Sequence, residues 1–271
     1  MEFSKQYGPW ALVAGASEGV GKLFAQELAR LGLNVVLIAR RQAILETLSL
    51  DIERRYGVES KVLAVDLASE NAVKKVLAAV EGIEVGFFVY CAGADADFAP
   101  FLDVPLTQAE SMIQRNCLLP VQLCYEICKP MTERAKGAVV LVGSGAGFAG
   151  SQNMAAYSAS KAFDMVFAEA LYCELKPRGV DVLGLILGET DTPALRRLRF
   201  KLGLAATENE PVKGAESPEN VVKDCLLNLR NGPTRLANRK MRWGLKFLYP
   251  FSRNFVVGLM SKANQKVMGG A

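Results

Sequence analysis

Apolar runs of strand length alternate along the chain with stretches whose apolar residues recur at helical spacing. The runs are 10–14, 34–39, 61–65, 85–90, 137–143 and 180–187, with a weaker one at 234–238. Helical patterns fall between them, at about 20–31, 41–56, 69–81, 107–134, 154–177 and 218–231. Strands that are apolar throughout must be covered on both faces. Helices joining such strands act as crossovers, and right-handed crossovers give a doubly wound parallel sheet. The pattern predicts an α/β fold of about seven strands with helices on both faces.

Ser217-Pro218 marks a helix start, with Ser as N-cap and Pro at the first position. No Pro/Ser-rich linker, repeat or low-complexity tract divides the chain, so residues 1–271 read as one domain. Two segments stand outside the alternation. Residues 189–216 form a long connection rich in charge and Gly/Pro, placed at the carboxyl edge of the sheet and expected to act as a substrate lid. Residues 241–271 form an apolar extension carrying Trp243, Leu245, Phe247, Leu248, Tyr249, Phe251, Phe255 and Leu259. Lys246, Pro250 and Arg253 interrupt it, so it cannot span a bilayer. It packs over the cleft, joins a subunit interface or lies on a membrane surface, in that order of preference.

Composition narrows the chemistry. With 51% apolar residues, 22% charged residues and a net charge of +4, the chain does not call for nucleic acid. No transmembrane stretch is present, and the N-terminus lacks the apolar core of a signal peptide, so a cytoplasmic protein is expected. The six cysteines match no zinc spacing and read as buried free thiols. No histidine occurs anywhere, which excludes the Ser-His-Asp triad and His-ligated metals. No metal is expected.

Two motifs carry the chemistry. Gly15-Ala16-Ser17-Glu18-Gly19-Val20-Gly21 lies between the strand 10–14 and a helix bearing Leu23, Phe24, Leu28 and Leu31. Glycines at such a turn let backbone approach a pyrophosphate, and the helix start offers free N–H groups. Near the middle of the chain, Tyr157 and Lys161 stand one helical turn apart. An ammonium beside a phenol favours the phenolate, so the pair can exchange a proton with an alcohol or ketone near neutral pH.

Taken with Asp66-Leu67, Ala92-Gly93, Asn116, Ser144, Gly188 and Thr192, these motifs fall in the order and spacing of the short-chain dehydrogenase/reductase family. The chain resembles its shorter, single-domain branch from residue 8 to about 238. The resemblance implies a Rossmann-like fold and a nicotinamide cofactor. It makes Tyr157 the general acid/base and Lys161 its partner and a ligand of the nicotinamide ribose. Ser144 would hold the substrate oxygen, and Asn116 would anchor a water in a proton relay. Thr192 would bond the carboxamide and Asp66 the adenine amine, with Gly15, Ser17, Glu18, Gly19, Val20, Gly21, Leu67, Ala92, Gly93, Gly188 and Thr190 completing the cofactor groove. Residue by residue, plain alternatives stay open: a turn for Ser144, a satisfied core amide for Asn116, an N-cap for Asp66. The sequence departs from the family pattern at Cys91, Leu187 and the single serine before 145–147.

The second strand ends in Arg40-Arg41, where an NAD enzyme usually carries an acid. Two guanidiniums suit a 2′-phosphate, so NADP is favoured over NAD. Glu18 cuts against this unless it pairs with Arg40. For the substrate, Phe98, Gly145, Phe148, Met154, Leu195 and Phe200 imply an apolar pocket for a small hydrophobic alcohol or ketone, while Phe101 and Leu195 also read as core. Tyr7-Gly8, Trp10, the stretch from Glu18 to Lys22 and Arg40-Arg41 look like bacterial hydroxysteroid dehydrogenases of the 7-beta type. A steroid-like substrate is therefore favoured. The alternatives are a fatty-acyl or 3-oxoacyl reductase, reading the carrier through Arg196, Arg197, Arg199 and Lys201, and a catalytically silent NADP-binding module. The family also implies a homodimer or homotetramer formed through helices 107–134 and 154–177.

Overall fold

The computed structural model describes residues 3–94, 98–238, 241–244 and 251–267. After a short helix α1 (Phe3–Tyr7), strands and helices alternate as β1 (Trp10–Ala14), α2 (Gly19–Arg30), β2 (Asn34–Ala39), α3 (Gln42–Tyr56), β3 (Ser60–Ala64), α4 (Ala72–Ala79) and β4 (Val85–Tyr90). The second half runs α5 (Leu106–Ile113), α6 (Leu119–Glu133), β5 (Gly137–Ser144), α7 (Ala155–Leu175), β6 (Val180–Leu187), α8 (Pro193–Lys201), α9 (Pro218–Leu227), β7 (Thr234–Leu236) and α10 (Arg253–Val267).

The seven strands form one sheet in the order β3-β2-β1-β4-β5-β6-β7. Every neighbouring pair is parallel. This is the doubly wound, Rossmann-like fold expected from the hydrophobic pattern. Alternate residues of β1, β2, β4, β5 and β6 feed two cores. In β1, Ala11 and Val13 pack on one side, and Trp10, Leu12 and Ala14 on the other. Phe87 and Phe88 of β4 repeat this split and are fully buried. Burying such a side chain contributes roughly 1.5–3 kcal/mol. Strand order reverses between β1 and β4, so a crevice opens at their carboxyl ends, where ligands bind in open α/β sheets.

Two elements differ from the sequence reading. The single helix expected over 107–134 is divided by a π turn, Gln114–Leu118. Pro120 has no N–H to donate to the Asn116 carbonyl four residues back. The register therefore slips, and the Leu119 N–H reaches the Gln114 carbonyl. The connection 189–216 is not irregular throughout, because it holds α8. Thr192 caps α8 by accepting from the Leu195 N–H at 3.2 Å, and Pro193 opens it. Asp191 then ties the connection together, bonding Arg196 through both carboxylate oxygens at 2.7 Å and accepting from the Val212 N–H.

Among the described residues, no helix is long and apolar enough to cross a membrane. Leu245, Phe247, Leu248 and Tyr249 of the apolar extension lie outside the described residues. The cysteines are free; Cys124, Cys128 and Cys225 are buried as expected, whereas Cys173 is exposed.

Candidate active site

A cleft of about 830 Å³ follows the carboxyl ends of the strands. Its floor at one end is the glycine turn between β1 and α2. Gly15 has φ +91°, and a Cβ there would lie 2.8 Å from the Cys91 carbonyl carbon. A Cβ on Gly21 would lie 2.1 Å from the Gly15 carbonyl oxygen. Only glycine lets the turn close this tightly against β4 and the start of α2. Glu18, the N-cap of α2, gives it no side-chain cap, so the first-turn N–H groups are left for a ligand. A pyrophosphate matches the open helix start. The residues present therefore fit a dinucleotide. All residues assigned to it from the sequence line this cleft, from Gly15, Ser17, Glu18, Gly19, Val20 and Gly21 through Arg40, Arg41, Asp66, Leu67, Ala92 and Gly93 to Gly188, Thr190 and Thr192.

Charge at the rim is arranged differently from the expectation. Glu18 pairs with Arg41 at 2.8 Å and with Arg197 of α8, not with Arg40. Arg41 also donates to the Ser17 hydroxyl at 2.9 Å. Burial pushes the Glu18 carboxyl up, but the two guanidiniums outweigh it and hold the group below the usual carboxylate range. Arg40 is exposed and makes no hydrogen bond or ion pair to a described residue.

The middle of the cleft brings Ser144, Tyr157 and Lys161 together. Ser144 ends β5, and the following turn is pressed onto α7: a Cβ on Gly147 would lie 2.6 Å from the Lys161 carbonyl carbon. That contact keeps the end of β5 beside the tyrosine's turn of α7. The Ser144 hydroxyl accepts from the Ala146 N–H at 3.2 Å. The Lys161 ammonium lies 6.0 Å from the Tyr157 ring centre. Asn116 is fully buried behind this pair and does not line the cleft. Its amide donates to the Ser160 hydroxyl at 2.9 Å, and that hydroxyl donates to the Tyr157 carbonyl at 2.9 Å. Asn116 thus braces α7 at the turn that carries the tyrosine.

Of the expected substrate residues, Phe98, Gly145, Met154 and Leu195 line the cleft, so Leu195 is not core. Phe148 and Phe200 do not line it. Phe200 is 42% exposed at the end of α8, where helical rotation carries it away from Leu195 and Leu198. Phe101 is not core either, being 48% exposed. The sequence reading missed the α5 wall of Gln108, Ser111 and Met112, together with Arg115. It also missed Asp164, buried against Lys161. Cys91 faces the cleft, and burial pushes its thiol up to about 12, so it is no thiolate nucleophile at neutral pH.

A family profile described as short chain dehydrogenase matches residues 9–202. The chain belongs to this family. It is an NAD(P)-dependent oxidoreductase of the short-chain dehydrogenase type, acting on CH–OH groups. A 7beta-hydroxysteroid dehydrogenase of Collinsella aerofaciens is 37% identical over 195 residues, covering 72% of this chain and 74% of the relative. One from Clostridium sardiniense is 31% identical over 97% of this chain and 98% of its own length. A human very-long-chain 3-oxoacyl-CoA reductase is 33% identical over 81% of this chain and 68% of its own. A solved structure from work on 7beta-hydroxysteroid dehydrogenase stereoselectivity superposes with a TM-score of 0.87 at 31% identity, covering 96% of this chain and 99% of that one. A short-chain dehydrogenase from Sphingobium yanoikuyae in complex with NADPH superposes with a TM-score of 0.77 at 25% identity, over 94% of this chain and 96% of that one.

Proposed function

We propose that this short-chain dehydrogenase uses NADP to interconvert a hydrophobic secondary alcohol and its ketone, with a steroid-like substrate. The observation that carries the proposal is the meeting of Tyr157, Lys161 and Ser144 in one cleft with an open helix start at its other end. A bound nicotinamide supplies or accepts the hydride. Tyr157 moves the hydroxyl proton of the substrate, and the Lys161 charge favours the phenolate that this requires. Ser144 steadies the substrate oxygen as charge develops on it. Asn116, through Ser160, holds the tyrosine's turn in place. Arg40 and Arg41 would hold the 2′-phosphate, Asp66 the adenine amine and Thr192 the carboxamide, and all four line the cleft.

The steroid reading draws on the relatives named 7beta-hydroxysteroid dehydrogenase and on the Phe98, Met154 and Leu195 wall. The second reading, a 3-oxoacyl reductase, draws on the human relative of that name. It gains little from the α8 cations. Arg196 is held by Asp191, Arg197 by Glu18, and Arg199 lies 3.9 Å from Glu189. A silent cofactor-binding module would have no use for the assembled proton-transfer set. The segment 189–216 serves as the lid of a single domain. The apolar side chains exposed on α6 and α7, including Tyr125, Phe163 and Val166, suit a homodimer or homotetramer. The free thiols suit the cytoplasm.

The test is a panel of steroid and long-chain ketones and alcohols, each with NADP and with NAD, followed by absorbance of the reduced nicotinamide. Turnover of steroid alcohols with NADP is expected. Turnover of 3-oxoacyl thioesters alone overturns the steroid reading, and equal use of NAD overturns the cofactor reading.

A further inference from the structure

Lys161 and Asp164 form an ion pair at 2.9 Å inside the protein, with side chains 5% and 6% exposed. They lie one helical turn apart on the buried face of α7, a face that continues as Ala168 and Leu175. The Lys161 ammonium also donates to the Val142 carbonyl at 3.1 Å. Two of its three donors are thus used on the protein side, and it still lines the cleft. The bond from Lys161 is the one hydrogen bond of the Asp164 side chain among the described residues. A Cβ on Gly143 of β5 would meet the Asp164 Cβ at 4.0 Å, an ordinary packing distance, so this turn of α7 lies against the sheet. A buried carboxylate is costly unless its charge is paired, and here its one partner among the described residues is the lysine of the site.

We propose that Asp164 is a positioning residue, the counter-ion that fixes the Lys161 ammonium between Val142 and the cleft. This rests on the reading of Tyr157 and Lys161 as the proton-transfer pair. Burial alone drives Lys161 toward the neutral amine, which gives Tyr157 no charge to work against. Asp164, with Tyr157 and Cys91 behind it, reverses that and holds the ammonium above its ordinary range. The other groups around the pair are Tyr90 of β4, Cys91 after it, Arg115 and Cys117 of the π turn, and Cys124 of α6. Burial keeps Cys91 at about 12 and Cys117 at about 11 and raises Tyr90, while the side-chain hydrogen bond with Cys128, with burial behind it, raises Cys124. Tyr90, Cys91 and Cys124 stay neutral through the pH range of the assay, and Cys117 titrates only at its alkaline end, so below that the charge around the pair is that of Lys161, Asp164 and Arg115.

The experiment is the pH profile of kcat for alcohol oxidation in D164N and D164E. The alkaline limb reports loss of the Lys161 proton. In D164N it is expected to move toward acid by about one pH unit or more, the scale of removing an adjacent opposite charge. D164E is expected to restore it, and the KM for cofactor is expected to stay within about threefold. A folded D164N with the wild-type limb overturns the inference, as does a D164E profile displaced like that of D164N. The wild-type protein gives a second test that needs no folded variant. The ¹³C signal of the Asp164 carboxyl is expected to respond in step with the ¹⁵N signal of the Lys161 amine as Lys161 titrates. A lysine titration that leaves Asp164 unmoved overturns the inference. Tyr157→Phe separates the two levels: if it keeps turnover, the reading of the site has failed, whereas an inactive Y157F beside an unshifted D164N means that only the counter-ion role has failed.

Discussion

Replacing Glu18 with Gln tests how the cleft chooses its dinucleotide. Each oxygen of the Glu18 carboxylate holds a different guanidinium, that of Arg41 from the end of β2 and that of Arg197 from α8. These arginine side chains are 46% and 45% exposed, so each pair contributes only about 0.2–1 kcal/mol. To grip a 2′-phosphate with both N–H groups, Arg41 must leave Glu18. With NADP bound, the wild type would lose that pair and would keep a carboxylate near the incoming phosphate. The Glu18→Gln substitution removes both penalties, each of similar size, for a total of about 0.4–2 kcal/mol. NADP⁺ affinity should therefore rise roughly two- to thirtyfold, and the gain should shrink at high salt. Losing the Arg197 contact also unlatches α8 from the glycine turn, but that affects NADP⁺ and NAD⁺ alike. The ratio of the two dissociation constants, measured by titration calorimetry, isolates the 2′-phosphate. An unchanged ratio, or one that moves toward NAD⁺, would refute the reasoning.

Two further substitutions probe the scaffold. Gly93 has φ +119°, and a Cβ there would sit 2.5 Å from the Asn116 Oδ1, so Gly93→Ala should displace the amide that braces α7. Turnover should fall by about a hundredfold, the scale of a small misplacement in an active site; a wild-type kcat would contradict the bracing role of Asn116. Asp224 binds Arg235 through both oxygens and Arg242 at 3.2 Å, tying β7 and the segment after it to α9. The bond from Arg235 leads in holding its carboxyl below the ordinary range. Its stabilisation is thus present above the unfolded value of about 4 and lost as pH falls through the lowered folded value. Asp224→Asn should cost about 1–3 kcal/mol in urea unfolding at neutral pH, with the gap closing in strong acid. A gap of equal size at both pH values would count against it.

The sheet was readable because β1, β4, β5 and β6 are apolar at nearly every position, as strands covered on both faces must be. The glycine turn and the Tyr157/Lys161 pair were readable because each is local, a fixed spacing on one turn or one helix. Helix α8 was hidden by its charge, since Arg196, Arg197, Arg199 and Lys201 leave little apolar periodicity. Its cap, Thr192-Pro193, carried the same signal that was recognised at Ser217-Pro218. The π turn was also written locally, in Pro120, but a proline inside a helical pattern does not say whether the helix ends, kinks or changes register. The Glu18–Arg197 pair joins residues 179 positions apart, and no spacing rule reaches that far. Asp164 was within reach, three residues from Lys161, yet it reads as solvated until the fold turns that face of α7 onto β5. Phe148 and Phe200 show the limit of choosing pocket residues by hydrophobicity, because an aromatic ring beside a cleft need not face it.

The most direct test of the central claim is single-turnover oxidation of a steroid alcohol by Tyr157→Phe, with cofactor affinity measured on the same preparation. The account predicts that reduced nicotinamide forms about a hundred- to ten-thousandfold more slowly than in the wild type, the range expected for removing a general acid/base. It also predicts cofactor binding within about a factor of two of the wild type. Reduction at the wild-type rate in the phenylalanine variant would contradict it.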